Sequence, residues 1–420
     1  MKLGFVSACL PYLPCADGFR IYGSNLIRCL SRQHEIHLVC LLRPDDTEYL
    51  GWANRFCASI TSISWKRSRA PMRCANLVSS FLCGKQLHSR KTVQAGLWHS
   101  FRQNKWDILH VEGPFMAGLL PNDMPIPRVL SVHDSWTLRC REILDCSQDL
   151  SEKAYYSMLA FLEPRYERLA YSQYNRCLVV ADRDKVALER TLGTSGKVFT
   201  LPHGTDLEYF TPATVEKQEQ TLVFHGNLGY SPNVEAAVEL ARSILPGIRR
   251  AVPKAALRLV GARPAPAVEA LGSPDQVTIM ANLPDLRHAV RSAEVYACPV
   301  RHGSGLKNKI LEAMAMQMPV VAYAPAVQGI DCIHGKHLLI ADSQESFIRS
   351  VVQLFQDREH AERLGRAARL LMESQYSWEA RARTYEELCT EVQTEWQQSH
   401  SAGLRKTDKA VDGSMNAYSL

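Results

Sequence analysis

The sequence predicts an α/β protein built from two Rossmann-like domains, each with a parallel β-sheet flanked by helices. Short apolar segments alternate with helical or irregular stretches over roughly the first 200 residues, and the same alternation restarts at TLVFHG (221–226). Between the two series, TPATVEKQEQ (211–220) has no apolar periodicity and follows a turn-rich segment, as interdomain linkers do. Such alternation favours parallel sheets covered by helices on both faces.

The first series begins with LGFVSACL (3–10), a short apolar run that predicts the first strand. Residues 24–33 follow with helical periodicity through Leu26, Ile27 and Leu30. Four more apolar runs predict the remaining strands of this half: EIHLVCLL (35–42), WDILHVEG (106–113), RVLSVHD (128–134) and NRCLVVAD (175–182).

The second series repeats the pattern after the linker. Its predicted strands are TLVFHG (221–226), ALRLVGA (256–262), VTIMANL (277–283), VYACPV (295–300) and PVVAYA (319–324). Its predicted helices are 232–248, 286–293, 308–316 and 344–357. The polar, aperiodic tail from residue 399 predicts disorder.

Composition points to an ordinary soluble chain in a reducing compartment. Of the 420 residues, 46% are hydrophobic and 22% charged. The thirteen cysteines form no CxxC pair and no zinc-ligand spacing, which favours free thiols and a cytoplasmic location. The N-terminal MKLGFVSACLPYLPCA has one Lys and two prolines, which favours a buried strand over a signal peptide.

The net charge of +6 is unevenly distributed. No acidic residue occurs between Glu48 and Asp107, whereas ten Lys and Arg lie there, among them Lys66, Arg67, Arg69, Arg73, Lys85, Arg90 and Lys91. This stretch is either a solvated basic face or a surface for anionic lipid or a phosphorylated acceptor at the inner face of the membrane. No recognition motif for nucleic acid accompanies it.

The segment PVRHGSGLKNKILEAMA (299–315) predicts an anion-binding site. A strand ends near Val300, Gly303, Ser304 and Gly305 form a loop, and a helix opens near residue 308. Loop amides and a helix N-terminus suit a diphosphate, while Glu312, one turn into the helix, can accept sugar or ribose hydroxyls. The basic side chains around this loop are Arg301, His302, Lys307 and Lys309.

Three other strand ends carry candidate residues, because ligands of doubly wound sheets bind beyond the carboxyl ends of the strands. Gly226 and Asn227 follow the strand that starts the second series. His133 follows RVLSV, and His110 and Glu112 follow WDIL, where they are secondary candidates facing an acceptor.

KNKILEAMAMQMPVVAYAPAVQGI (307–330) resembles the donor-binding segment of GT-B glycosyltransferases of family 4. In that family the glutamate matching Glu312 binds the nucleotide ribose. An earlier glutamate of the family pattern falls at Ser304, and the usual Gly is replaced by Gln317. The variant loop is closer to a subgroup associated with exopolysaccharide synthesis.

The resemblance extends along most of residues 1–395. PCADGFRIY (14–22) resembles the loop over the donor phosphates, which implies donor contacts by Gly18 and Arg20. Asn227 and Asn233 stand where many members carry Arg and Lys, so Lys307, Lys309 or Arg301 must supply the charge. A histidine at the position of His133 contacts the transferred sugar in the family.

The resemblance implies a domain plan and a mechanism. The plan is an acceptor-side domain (1–205), a nucleotide-sugar domain (206–376), and a helix (377–398) that returns to the first domain. The mechanism is retaining transfer from a nucleotide sugar to a glycan or lipid-linked acceptor, with no cofactor, metal or protein nucleophile. We therefore expect catalytic roles for His133, Lys309 and Glu312.

Three alternatives remain open from the residues. A dinucleotide-dependent oxidoreductase fits two Rossmann-like halves, but neither half has GxGxxG between strand and helix. The others are a nucleotide-sugar epimerase of GT-B fold and a catalytically silent partner subunit, which Ser304 in place of an acid favours.

Overall fold

The computed structural model describes residues 1–13, 18–64, 90–147, 149–302 and 306–415, with side chains through residue 400 except that of Cys146. The chain forms two compact units. The first comprises residues 1–202 together with 382–420, and the second comprises 203–381. Five members of the basic stretch (Lys66, Arg67, Arg69, Arg73 and Lys85) lie outside the described residues.

The first unit is built on a parallel sheet of seven strands in the order β3-β2-β1-β4-β5-β6-β7. The strands are β1 (Lys2–Ser7), β2 (Glu35–Leu42), β3 (Ser59–Ser64), β4 (Ile108–Glu112), β5 (Arg128–His133), β6 (Arg176–Val179) and β7 (Val198–Thr200). The helices are α1 (Gly18–Leu30), α2 (Leu50–Ala53), α3 (Arg90–Asn104), α4 (Pro114–Ala117), α5 (Trp136–Cys146), α6 (Leu150–Tyr171) and α7 (Asp182–Leu192), with a 3-10 turn at Pro44–Tyr49.

The second unit has a parallel sheet of six strands in the order β10-β9-β8-β11-β12-β13. The strands are β8 (Thr221–His225), β9 (Ala256–Gly261), β10 (Val277–Ala281), β11 (Val295–Cys298), β12 (Val320–Tyr323) and β13 (Leu339–Ala341). The helices are α8 (Ser231–Glu239), α9 (Leu245–Arg249), α10 (Pro266–Glu269), α11 (Arg287–Arg291), α12 (Asn308–Ala315), α13 (Gln344–Gln356) and α14 (Arg358–Leu371). π-turns follow α8 and α14 at Leu240–Ile244 and Met372–Tyr376, and a 3-10 turn lies at Ala324–Val327.

These topologies confirm two Rossmann-like sheets. The central strands β4, β5 and β8 are buried along their whole length, as expected of parallel strands covered by helices on both faces. The strand order reverses between β1 and β4 in one sheet and between β8 and β11 in the other. Crevices form at such reversals, beyond the carboxyl ends of the strands, so each unit has one predetermined place for a ligand.

Three strands escaped the sequence-based prediction, and all three lie at a sheet edge. β3 (SITSIS) and β7 (VFT) end the first sheet, and β13 (LIA) ends the second. β3 is only partly buried and has Ser or Thr at four of its six positions, while the other two are three residues long. Edge strands bury less surface than central ones, so β3 lacks the apolar run that predicts a central strand, and β7 and β13 are too short to show one.

The last helix, α15 (Trp378–Met415), begins in the second unit and joins the first from Ala382 onward. Glu386 accepts a hydrogen bond from His34 at 3.0 Å, Glu395 pairs with Arg176, and Tyr385 and Cys389 are fully buried. The backbone stays helical through Met415, whereas the sequence predicts a disordered tail from residue 399. Ala, Leu, Arg and Lys in this tail favour helix, a preference that aperiodic polarity had obscured.

The end of α12 shows why glycine is usual two residues before Pro319. Gln317 has φ 61°, in the left-handed region, at the position after the helix cap. Its amide bonds to Met314 O and the amide of Met318 bonds to Ala313 O, the two bonds of a Schellman motif. The motif closes normally around Gln317, at the conformational cost that any side chain bears there.

A buried carboxyl pair in the first unit makes stability depend on pH. Burial and the neighbouring Glu167 carboxyl raise the pKa of Glu163 on α6 to about 8, well above its ordinary value near 4.5. A folded pKa above the unfolded value means that the unfolded chain releases this proton first. The contribution of protonated Glu163 to the free energy of unfolding is therefore complete below about pH 4.5, and it is lost progressively as the pH rises to about 8.

Glu163→Gln should remove this dependence. We expect the variant to be more stable than the parent protein at pH 8, by at least about 1 kcal/mol, with the gain vanishing toward pH 4.5. Urea unfolding at both pH values measures it, with the exposed Glu269→Gln as the control. An equal gain at both pH values would show that the pKa of Glu163 is not raised in the folded protein.

Candidate active site

The carboxyl ends of β8 and β11 lie side by side at the strand reversal of the second unit. A glycine-bearing turn leads from β8 into α8, and a second loop leads from β11 into α12. Two helix N-termini therefore follow adjacent strands, and their free amides and partial positive charge suit an anion. Gly303, Ser304 and Gly305, in the second loop, lie outside the described residues.

Lys309, in the first turn of α12, contacts α8 across this edge. Its Nζ donates a hydrogen bond to Asn233 Oδ1 and lies 4.9 Å from the centre of the Phe224 ring. Asn233 is buried, and its Nδ2 donates to Asn227 O at 2.8 Å. Burial lowers the pKa of Lys309, although Cys298 and Glu312 act in the opposite direction. The ammonium group of Lys309 is thus partly desolvated and bonded to a neutral amide, a bond that an anionic ligand can replace.

Gly226 makes room for this contact. Its φ is 151°, and a Cβ built there would lie 3.0 Å from Asn233 Nδ2 and 3.1 Å from Lys309 Nζ. Both distances are tighter than ordinary van der Waals contact. Any other residue at this position would press on the lysine–asparagine pair, so glycine is needed here for packing as well as for backbone conformation.

Glu312 lies one turn after Lys309 on the same face of α12. Its Oε2 accepts a hydrogen bond from His225 Nε2 at 2.7 Å. His225 is buried at the end of β8, whereas the Glu312 side chain is partly exposed. Oε1 makes no hydrogen bond to another described residue, so one carboxylate oxygen is anchored and the other is available to a hydroxyl.

Arg301 lies away from this group. Its guanidinium bonds to both carboxylate oxygens of Glu239, at 3.0 and 3.3 Å, and stacks 3.9 Å from the Tyr323 ring centre. The hydrogen bond to Glu239 raises its pKa. Glu239 is the last residue of α8, about 12 Å along the helix from its first residue. Lys307 is half-buried at the N-cap of α12, closer to Lys309.

In the first unit, His133 ends β5 with φ 66°, and the register of β5 against β6 shifts between Ser131 and His133. The irregularity redirects the ring toward β4, where Nε2 bonds to Glu112 Oε1. Phe19 and Tyr22 of α1 contact the ring, with centroids 4.1 and 4.7 Å away. A histidine in a left-handed conformation at a strand end is held there by its surroundings.

Arg20 and Gly18 stand at the start of α1. Arg20 is buried, donates to Asp46 Oδ2 at 2.9 Å and lies 4.7 Å from the Tyr12 ring centre. Its pKa is raised, because Cys9 and the hydrogen bond to Asp46 outweigh desolvation. A Cβ built at Gly18 meets no described atom within 4 Å. The structure thus places Arg20 in a buried ion pair rather than at an open surface.

Two polar contacts were not anticipated from the sequence. His225 bonds to Glu312, and its position as the last residue of a buried strand, like that of His133, is the signal that could have found it. Tyr385, on α15, is hydrogen-bonded through its hydroxyl to His110 Nδ1 at 2.9 Å. It lies 275 residues from His110, and no spacing pattern reveals such a contact.

Among the described residues, no group of three or more His, Cys, Asp or Glu side chains is placed to hold a metal ion. Every cysteine side chain that the structure describes is a free thiol. Within the same residues, no helix combines the length and apolar character needed to cross a membrane.

Comparison with known proteins agrees with this architecture. Residues 17–209 match the family model described as "Glycosyltransferase Family 4", and residues 219–357 match "Glycosyl transferases group 1". Together the two matches cover most of the chain, one in each unit. Each unit therefore resembles a glycosyltransferase domain of family 4, and the two parallel sheets have the architecture of the GT-B fold.

Similar solved structures share the fold at low identity. Sucrose-phosphate synthase from Thermosynechococcus elongatus has a TM-score of 0.61 and 15% identity, covering 96% of this chain and 100% of that one. A glycosyltransferase from Rickettsia africae scores 0.60 at 13% identity, covering 93% and 98%. HepE of Anabaena in complex with UDP scores 0.59 at 10% identity, covering 93% and 100%.

A curated relative is more similar in sequence over a shorter span. It is the GDP-mannose-dependent α-(1-6)-phosphatidylinositol monomannoside mannosyltransferase of Mycobacterium tuberculosis, 29% identical over 217 residues. The match covers 45% of this chain and 55% of the relative. The chain thus spans about half the length of the curated relatives it matches.

Proposed function

We propose that the protein transfers a sugar, with retention of configuration, from a nucleoside diphosphate sugar to a glycan or lipid-linked acceptor. The observation that carries the proposal is the group formed by Gly226, Asn233, Lys309 and Glu312 at the β8/β11 reversal. It combines a partly desolvated cation, two helix N-termini and an anchored carboxylate. A diphosphate next to a ribose needs this combination of positive charge and hydroxyl acceptor.

The proposed roles follow from these contacts. Lys309 binds the diphosphate, with Lys307 near it at the start of α12, and Glu312 Oε1 accepts a ribose hydroxyl. His133 contacts the transferred sugar, and Gly18 borders its site. Arg20 and Arg301 are each paired with a carboxylate. We therefore assign the main contact with the diphosphate to Lys309.

In this reaction the bond between the sugar anomeric carbon and the phosphate oxygen breaks. The acceptor oxygen bonds to the same face of the sugar, and its proton passes to the departing phosphate. The protein supplies no nucleophile and no metal; its contribution is to stabilise charge that develops on the phosphate and to orient both substrates.

Nucleotide preference is the first test. The mycobacterial relative depends on GDP-mannose, and HepE binds UDP, so the panel contains GDP, UDP, GDP-mannose and UDP-glucose. A ligand that binds the native state raises its melting temperature. We expect one nucleotide to stabilise the protein selectively and Lys309→Ala to lose most of that shift. If no nucleoside diphosphate or sugar stabilises it, the donor site is misassigned.

Product analysis separates transfer from its alternative. A glycosylated acceptor supports the proposal. A free epimerised donor formed without acceptor would assign the site to a nucleotide-sugar epimerase instead.

We further propose a cytoplasmic enzyme of exopolysaccharide synthesis whose first unit contacts anionic membrane through α6. Five large apolar side chains of this helix are exposed, and Leu150 and Phe161 are each 82% exposed. The others are Tyr155, Met158 and Leu169. Helical spacing places Arg165 and Arg168 on the same side, while Glu163 and Glu167 are buried. An apolar face carrying only positive charge suits the interface of an anionic bilayer.

Phe161→Glu should weaken this contact. We expect its partition onto phosphatidylglycerol-containing vesicles to fall about tenfold, because a buried Phe contributes about 1.5–3 kcal/mol. Co-sedimentation measures it, with Leu370→Glu, an exposed apolar residue of the second unit, as the matched control. Absence of parent protein from the vesicle pellet, or an equal loss in the control, would refute the role of α6.

A further inference from the structure

A continuous chain of hydrogen bonds runs through the interior of the first unit from His133 to the last helix. His133 Nε2 bonds to Glu112 Oε1, Glu112 Oε2 bonds to His110 Nε2 at 2.8 Å, and His110 Nδ1 bonds to Tyr385 Oη at 2.9 Å. Glu112 is 2% exposed, and His110 and Tyr385 are fully buried. β4, β5 and α15 each contribute to it.

When Glu112 is ionised and both rings are neutral, the three hydrogen bonds of this chain fit a single arrangement of protons. A carboxylate can only accept, so both Nε2 atoms must carry hydrogen. His110 Nδ1 is then an acceptor, and the Tyr385 hydroxyl donates to it. His133 is likewise held with its proton on Nε2, which makes Nδ1 the acceptor of that ring.

Burial of Glu112 makes these hydrogen bonds energetically important. Desolvation raises the pKa of Glu112, and hydrogen bonds from His110 and Ser131 counteract it. A buried carboxylate needs such donors, since a buried charge without hydrogen bonds bears the full cost of leaving water. While Glu112 is ionised, its two oxygens require a proton on each Nε2, so a group on the neighbouring strand sets the tautomer of His133.

The ring of His133 is also fixed in direction. Its backbone is in a left-handed conformation, and Phe19 and Tyr22 contact the ring. Ring contacts restrict tilt but do not choose between the two nitrogens, which occupy similar volumes. Glu112 makes that choice.

We propose that Glu112 is a positioning residue that, supported by His110 and Tyr385, holds His133 in the Nε2-protonated tautomer. The ring of His133 is then fixed both in orientation and in the position of its proton. The inference rests on the proposed function, which assigns His133 to the transferred sugar. It adds three residues that touch no substrate but determine what His133 can do.

The tautomer is read directly from ¹⁵N shifts of histidine-labelled protein, with His133→Gln identifying the His133 signals. We expect His133 of the unliganded parent protein to carry its proton on Nε2. In Glu112→Gln the side chain offers one acceptor oxygen and one NH2 group, so the imidazole that faces the NH2, either His133 or His110, must change tautomer. His110→Gln identifies the signals of the second ring. Parent protein with no proton on Nε2 of His133, or signals of both rings unchanged in Glu112→Gln, would overturn the inference.

Kinetics provide the second readout. We expect Glu112→Gln to lower kcat about 10- to 100-fold, the usual scale for removing the partner of a functional histidine, while donor affinity stays within about twofold. Glu163→Gln, a buried carboxyl outside the chain, is the matched control and should leave the kcat and the His133 signals unchanged. A full kcat in Glu112→Gln despite a changed tautomer would also overturn the positioning role.

Tyr385→Phe keeps the proposal testable if Glu112→Gln does not fold. It removes only the hydroxyl that donates to His110, and we expect a smaller loss of kcat with a second tautomer of His110 appearing. Failure of the proposed function is distinct from these outcomes. It would appear as a parent protein that binds no nucleotide sugar, whereas failure of this inference appears in the signals of unliganded His133.

Discussion

Lys309→Met is expected to lower kcat/KM for sugar transfer by at least about tenfold without destabilising the fold. The structure places Lys309 in the first turn of α12, where its ammonium group is bonded to Asn233 in the first turn of α8. Removing one preformed group that stabilises developing charge costs about 10- to 1000-fold in rate. Methionine keeps the length of the side chain and its contact with Phe224 while removing the charge.

Stability should move in the opposite direction from activity. Burial lowers the pKa of Lys309, which means that the folded protein holds its charge at an energetic cost. We therefore expect Lys309→Met to melt at or above the parent temperature. Steady-state kinetics and thermal unfolding measure the two effects, and the exposed Lys254→Met in the same unit is the control. Unchanged turnover and unchanged donor affinity would remove Lys309 from the site.

Glu312→Ala is the second large effect, and we expect it to weaken donor binding and lower kcat/KM by about tenfold or more. A hydrogen bond to a charged group contributes about 1.5–3 kcal/mol, which corresponds to this factor. Alanine also leaves buried His225 without its acceptor. Glu312→Gln separates the two losses, because its amide oxygen can still accept from His225 while the carboxylate charge is gone.

The role of Glu312 as the ribose acceptor can be isolated with modified donors. Parent protein should discriminate against donors that lack the 2′- or 3′-hydroxyl, and Glu312→Ala should lose that discrimination. Competition binding with the deoxy and ordinary nucleotides measures the difference, with the exposed Glu269→Ala as the control. If Glu312→Ala discriminates as well as the parent protein, another group binds the ribose.

The central part of each sheet could be predicted from the sequence because it is the most buried part. Strands such as β2, with LVCL at 38–41, and β11, with VYAC at 295–298, are buried and apolar on both faces, and this leaves a continuous apolar run in the chain. The partly polar strand β3 has no such apolar run, since it is only partly buried. Burial on both faces is therefore what made a strand predictable from the sequence.

The site residues were identifiable individually from their positions after strands. The sequence places Lys309 and Glu312 in one helix and Gly226 and Asn233 at another strand end. That Lys309 bonds to Asn233 over Gly226, and that Glu312 bonds to His225, depends on β8 and β11 lying side by side. Arg301 shows the converse: it is close to Lys309 in the chain, yet it pairs with Glu239 at the far end of α8.

The sequence by itself determined the class of architecture and the strand ends that carry the candidate residues, because apolar periodicity and glycine positions act over a few residues. Tertiary structure alone decided which side chains meet, including the chain from His133 through Glu112 and His110 to Tyr385. Those contacts join residues up to 275 positions apart. They form only when separate elements pack together, and no local sequence pattern predicts which distant residues will be in contact.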